Sequence, residues 1–149
     1  MPPAAYTDRV SATPIAATRV LIVDDEAPVI DVLREFFAQF RHGRGYEIEG
    51  ATNGIDGYMA FIRTRPDLVL LDMHMPGMDG LQLLKQIRTL DTRVPIMMIT
   101  ANEDTRAAAE AHTVGVFAYV PKPFDFHHID LLVGLVLENS ERAATLVAR

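Results

Sequence analysis

Four apolar residues, Leu68 to Leu71, run directly into a carboxylate, Asp72, and the Pro/Gly-rich loop Met73-His74-Met75-Pro76-Gly77-Met78-Asp79-Gly80 follows at once. Three other short apolar runs also end on polar groups. Asp24 and Asp25 follow Val20–Val23, Thr100 follows Ile96–Ile99, and Lys122 follows the run from Val116 to Val120 after a single proline. If these ends were brought together, three carboxylates would crowd one another and raise each other's pKa. A hard divalent cation with oxygen ligands relieves that crowding, and Mg²⁺ is suited to one or two carboxylates with its remaining positions filled by water. An ammonium and a hydroxyl beside such an ion complete what a transferring phosphoryl group needs: a metal, a cation and hydrogen-bond donors for its equatorial oxygens.

The elements that must position these residues can be read from hydrophobic spacing. Short apolar runs bounded by turn signals are strands buried on both faces, as in parallel sheets. They are expected at Arg19–Val23, more weakly at Tyr46–Ala51, and at Leu68–Asp72, Pro95–Thr100 and Val116–Val120. Helical spacing falls between them. Val29, Leu33, Phe36, Phe37 and Phe40 form one face after Pro28, a proline suited to a first turn with an Asp just upstream as cap. Asn53-Gly54 marks a turn before a helix to about Arg65 with Tyr58, Phe61 and Ile62 inward and Pro66 ending it. Leu81, Leu83, Leu84, Ile87 and Leu90 mark a third helix. An Ala-rich fourth covers Asn102–Thr113 and closes at Gly115. A fifth runs from Asp125 to about Arg149, with Ile129, Leu132, Val133, Val136 and Leu137 inward.

Five strands alternating with five helices imply a doubly wound α/β fold, a five-stranded parallel sheet of flavodoxin-like type sandwiched between helices in three layers. In such sheets the strand carboxyl ends share one edge, where ligands bind. Asp24, Asp25, Asp72, Thr100 and Lys122 should therefore converge.

Composition limits the alternatives. The 149 residues suit one domain with a substantial core. A net charge of −6 argues against direct binding of nucleic acid or of an anionic membrane surface. No cysteine is present, so disulfides, thiolate zinc sites and Cys nucleophiles are excluded. No apolar run reaches the length of about 18 residues that spans a bilayer. Residues 1–17 lack a basic start and an apolar core, so the expected compartment is the cytoplasm and the expected role of this stretch a flexible N-terminal arm. Residues 18–140 are expected to form the domain, and 141–149 a helical extension or linker.

Four separated motifs, Asp24-Asp25, Leu71-Asp72-Met73-His74-Met75-Pro76-Gly77-Met78-Asp79-Gly80, Thr100-Ala101, and Tyr119-Val120-Pro121-Lys122-Pro123-Phe124, resemble the receiver domain of two-component response regulators, the CheY-like family. The resemblance covers about Arg19 to Val136. It implies that Asp72 accepts a phosphoryl group from a sensor histidine kinase or a histidine phosphotransfer protein. It further implies that Asp25, Asp72 and the His74 backbone carbonyl hold Mg²⁺ or Mn²⁺ with help from Asp24. Lys122, Thr100 and Ala101 would form the phosphate-binding and switch set, and Tyr119 the aromatic whose burial changes with Thr100. The Lys122–Pro123 bond would be cis, aiming the amine over the site. No enzyme activity is implied beyond self-phosphorylation and self-dephosphorylation. Output would pass to a downstream protein or a second copy through the fourth helix, fifth strand and fifth helix.

Several residues read as structural or neutral. Met73, Met75, Met78, Met97 and Met98 suit packing, and His42, His112, His127 and His128 suit the surface. Gly57 stands where the family often has Ala, and should cost the helix about 1 kcal/mol or less. His74 and Asn102 occupy places with no directional argument for their effect on dephosphorylation. A dinucleotide-binding enzyme would need a Gly-rich first turn, whereas Asp24-Asp25-Glu26-Ala27-Pro28 would repel a pyrophosphate. A haloacid-dehalogenase-type phosphatase would want an Asp where His74 stands. A degenerate, non-phosphorylated receiver would commonly lack one of the acids, Thr100 or Lys122.

Overall fold

A computed structural model describes residues 17–101 and 105–148. Most of the expected arm, Met1–Ala16, and Asn102 lie outside the described residues. The chain alternates β1 (Thr18–Val23), α1 (Ala27–Gln39), β2 (Tyr46–Ala51), α2 (Gly54–Thr64), β3 (Leu68–Asp72), α3 (Gly80–Leu90), β4 (Ile96–Thr100), α4 (Thr105–Val114), β5 (Ala118–Pro121) and α5 (Phe126–Ala148). The five strands form one parallel sheet in the order β2-β1-β3-β4-β5. Among the described residues no helix is long and apolar enough to cross a membrane.

Alternation along the strands sorts the core into two layers. Leu21, Val23, Val69, Leu71, Ile96 and Met98 point to one face and are covered by Phe61 of α2, Leu83, Leu84 and Ile87 of α3, and Ala111 of α4. Val20, Ile22, Leu68, Leu70, Met97, Ile99 and Val120 point to the other, under Ile30, Leu33 and Phe37 of α1 and Ile129, Val133 and Val136 of α5. Every residue of β3 is buried, as a strand covered on both faces requires. Met73, Met75, Met97 and Met98 are buried packing residues, as expected.

Some inward assignments need correction. Ile30 joins the inward face of α1 as a fully packed residue, and Val29 is partly buried against the same layer. Ile62 and Leu90 are exposed: α2 is seated on the sheet by Gly54, Gly57, Ala60 and Phe61, and Leu90 is the last residue of α3. The α1 cap position is Glu26, which makes no side-chain cap bond. Asp24 acts locally instead, its Oδ1 accepting the Glu26 N–H at 2.9 Å. His42 is not a free surface group. Its ring packs on Phe40, Nδ1 lies 2.5 Å from the Tyr46 hydroxyl and Nε2 lies 2.6 Å from Asp130 on α5. Burial, countered by Arg44 and aided by Asp130, pushes the Tyr46 phenol up to about 12. His112 and His127 are exposed and His128 is half-buried.

The loop after β3 is held by its ends. Asp79 caps α3 by accepting the Gln82 N–H at 2.9 Å, and the Gln82 side chain accepts the Asp79 N–H at 3.2 Å, a reciprocal capping box. Gly77 takes a left-handed φ of 77°, and the Gly80 N–H donates to the Met73 carbonyl at 3.1 Å. A Cβ on Gly80 would collide with the Asp72 carbonyl, and one on Gly54 would come within 2.6 Å of the Met78 carbonyl. The start of α3 thus presses on the Asp72 backbone itself, and the start of α2 on the loop that follows it. Gly80→Ala should destabilise the fold by about 1–3 kcal/mol through this overlap, measured by urea unfolding; an unchanged midpoint would show that the loop can yield freely.

Candidate functional site

Strand register brings the distant polar residues to one edge. Val23 pairs with Leu71, so Asp24 and Asp72 leave adjacent strands side by side. Asp72 pairs with Ile99, and Thr100 with Pro121, which puts Thr100 and Lys122 at the same edge across β4 and β5. The Lys122 N–H donates to the Thr100 carbonyl at 2.9 Å. The Lys122–Pro123 peptide bond is cis.

At this edge Lys122 Nζ stands 3.1 Å from Asp24 Oδ2 and 3.9 Å from Asp72 Oδ2. Asp24 is fully buried and Asp72 nearly so, whereas Asp25 is exposed. The His74 N–H donates to Asp72 Oδ1 at 3.2 Å, while its side chain is exposed. Thr100 is half-buried and Ala101 exposed at the bend that follows. Tyr119 is half-buried against the α2–α4 layer, and its hydroxyl donates to the Ala108 carbonyl of α4 at 2.5 Å. Burial raises the phenol above its ordinary value.

Residues 20–133, a stretch that contains all of these residues, match the model of the response regulator receiver domain. The chain belongs to that family. It is 41% identical over 123 residues to the regulatory protein AtoC of Escherichia coli K12, covering 83% of this chain and 26% of AtoC. Sporulation initiation phosphotransferase F of Bacillus subtilis is 35% identical over 111 residues, covering 74% of this chain and 86% of that protein. The receiver domain of AraT from Geobacillus stearothermophilus superposes with a TM-score of 0.78 at 29% identity, covering 87% of this chain and 99% of that one. The chain thus spans only about a quarter of the length of AtoC, and likewise of the transcriptional regulator NtrC.

In this receiver the charges are unbalanced. Burial raises the Asp72 carboxyl to about 6; the His74 N–H opposes this, Asp24 adds to it, and Lys122 opposes it. Burial alone would lower the Lys122 ammonium, but the Asp24 and Asp72 carboxylates outweigh it and hold it above the ordinary lysine value. Carboxylate oxygens of Asp24, Asp25 and Asp72 lie within 4.8 Å of one another. Asp24 Oδ2 is buried, and the charge facing it at 3.1 Å is the Lys122 ammonium, which it shares with Asp72. Three carboxylates against one shared ammonium fit a divalent cation.

The raised Asp72 pKa has a consequence for stability. The folded receiver holds this proton more tightly than the unfolded chain, so the contribution to folding is full below about pH 3.9 and is lost as pH rises through about 6. Asp72→Asn should therefore make the metal-free protein more stable at pH 7.5, by about 2–3 kcal/mol, with the advantage fading toward pH 4. Urea unfolding in a chelator at both pH values checks this; parallel pH profiles for the two proteins would contradict it. Added Mg²⁺ should favour the wild type more, by binding only the folded state.

Proposed function

We propose that Asp72 is the phosphoacceptor of this receiver, and that Asp24, Asp25, Asp72 and the His74 carbonyl hold Mg²⁺ or Mn²⁺ beside it. The observation that carries the reading is Asp72 at the central strand end, with Lys122 Nζ 3.9 Å from its Oδ2 and two further carboxylates alongside. When bound, the divalent ion supplies positive charge against the equatorial oxygens of the transferring group. The chain's own residues do the rest. An Asp72 carboxylate oxygen attacks the phosphorus of a phosphohistidine on a sensor kinase or phosphotransfer protein. The P–N bond breaks, its electron pair stays on the imidazole nitrogen, and an acyl phosphate forms on Asp72. Hydrolysis reverses the state: water oxygen bonds to phosphorus, the bond to the carboxylate oxygen breaks, and inorganic phosphate leaves. Lys122 supplies positive charge to the phosphoryl oxygens, and Thr100, with the backbone at Ala101, turns toward them.

The phosphoryl group adds charge of roughly −1.5 to −2. Thr100 moving toward it frees space beneath β4 for the Tyr119 ring, which would have to give up its bond to Ala108 on α4. The output surface is accordingly α4, β5 and α5, read by a downstream protein. The proposed unit is 18–140, in keeping with Leu137 as the last buried core residue among the residues whose burial is described, with 141–149 as an extension or linker. The proposed location is the cytoplasm, in keeping with a chain that lacks cysteine.

Incubation with a small phosphodonor and Mg²⁺ should give one acid-stable, base-labile phosphate, absent from Asp72→Asn. Full labelling of that variant would refute the assignment. Asp25→Asn should weaken Mg²⁺ binding and slow labelling about tenfold or more each, as loss of one metal ligand does; unchanged affinity by titration would remove Asp25 from the coordination shell.

A further inference from the structure

The α2 helix carries an apolar row that its own fold leaves uncovered. Ile55, Met59 and Ile62 are 65%, 56% and 42% exposed. They stand at i, i+4 and i+7, within about 60° of one another around the helix. Single exposed apolar residues are ordinary, but a continuous row on one helix is a contact surface. The helix cannot roll to hide it. Its opposite side is seated by Gly54 under the Met78 carbonyl, and by Gly57, where a Cβ would meet Val23 at 2.9 Å and Leu83 at 3.1 Å.

The charges beside the row identify its occupant. Asp56 and Arg63 lie along the same flank, seven positions apart, one on either side of Met59. A two-fold axis through Met59, perpendicular to the helix, would set Ile55 against Ile62 of a second copy and Met59 against itself. It would also set Asp56 against Arg63, twice. A parallel two-fold pairing would instead carry the two charged flanks to opposite sides of the seam and leave both pairs unmade. Within the chain Arg63 bonds Glu49, and Asp56 accepts from Asn53 at 2.8 Å. Both remain solvent-exposed, so the second copy adds a partner to each without breaking these bonds.

We propose that a second copy of this chain docks antiparallel on α2, through Ile55, Met59 and Ile62 with reciprocal Asp56–Arg63 pairs. This surface is separate from α4, β5 and α5, and its association needs no phosphoryl group. From Ile55 to Ile62 the row is about 11 Å long. One helix face of that length buries well under the roughly 800 Å² per partner of a standard interface, so the dimer is weak, with a dissociation constant on the order of 10–1000 µM.

Sedimentation of the full chain from about 10 µM to about 1 mM should show a concentration-dependent monomer–dimer equilibrium. Met59→Glu and Met59→Lys each place like charges on the two-fold axis and should weaken it about tenfold or more, while leaving Asp72 labelling unchanged. A wild type that stays monomeric throughout, or dimerisation insensitive to both variants, overturns the proposal. Because the chain has no cysteine, orientation can be read from single-cysteine variants. Oxidising an equal mixture of Ile55→Cys and Ile62→Cys chains should give the mixed disulfide well above the half that random pairing yields. Predominance of the symmetric products means parallel packing. A statistical mixture, no faster than with Leu135→Cys as control, means random collision. Either result overturns it.

Discussion

A lysine ammonium set between two buried carboxylates is the arrangement on which the working edge of this molecule depends. Asp24 and Asp72 come from adjacent strands whose register is fixed by buried Val23 and Leu71, so neither can withdraw without moving the core. Two such carboxylates cannot both hold full charge cheaply away from water. Lys122 offsets part of that cost and is itself held by the Thr100 carbonyl across the β4–β5 pairing. What remains is an electrostatic deficit at a fixed place: a carboxyl that binds protons too readily and a second carboxylate with which it shares one ammonium. A divalent cation repairs the deficit, and a phosphoryl group rearranges it.

The supports of this edge are mechanical as well as electrostatic. Gly80 and Gly54 let two helix starts approach the β3–α3 loop more closely than any side chain would allow. The capping box at Asp79 fixes where that loop ends. The residues that do chemistry are thus held by residues that do none, and the latter are distinguished only by lacking a Cβ or by bonding their own backbone.

Much of this was legible in the sequence because the signals are local. Apolar runs of four or five ending on Asp24, Asp72 and Thr100 give the strands and the edge together, and parallel order follows from alternation with helices. The four receiver motifs then name the residues that meet. What escaped is what depends on distant partners. His42 resembles any polar loop residue until Asp130, 88 positions later, is brought to its Nε2. Ile62 has the spacing of a core residue, yet Gly57 and Ala60 let α2 sit so close to the sheet that its buried arc narrows and Ile62 falls outside it. Gly57 itself looks like a weak point in a helix, but it packs against Val23 and Leu83.

The attachment of α4 has a consequence of its own. Among its described residues only Ala111 is buried, so the helix has little oil beneath it. Polar tethers around its rim supplement this: Lys85 to Glu110, Tyr119 to the Ala108 carbonyl, and Arg88 of α3, whose guanidinium donates to the carbonyl of Gly115, just past the end of α4, at 2.8 Å. A tether of this kind is worth roughly 1 kcal/mol, and less for an exposed ion pair, whereas a fully buried leucine is worth about 2. Sliding α4 over the sheet therefore exchanges bonds that water can replace and disturbs only the modest apolar contacts of Ala107, Ala111 and Val114. Its displacement should have a small heat-capacity signature and a marked dependence on ionic strength, the reverse of an element anchored in the core.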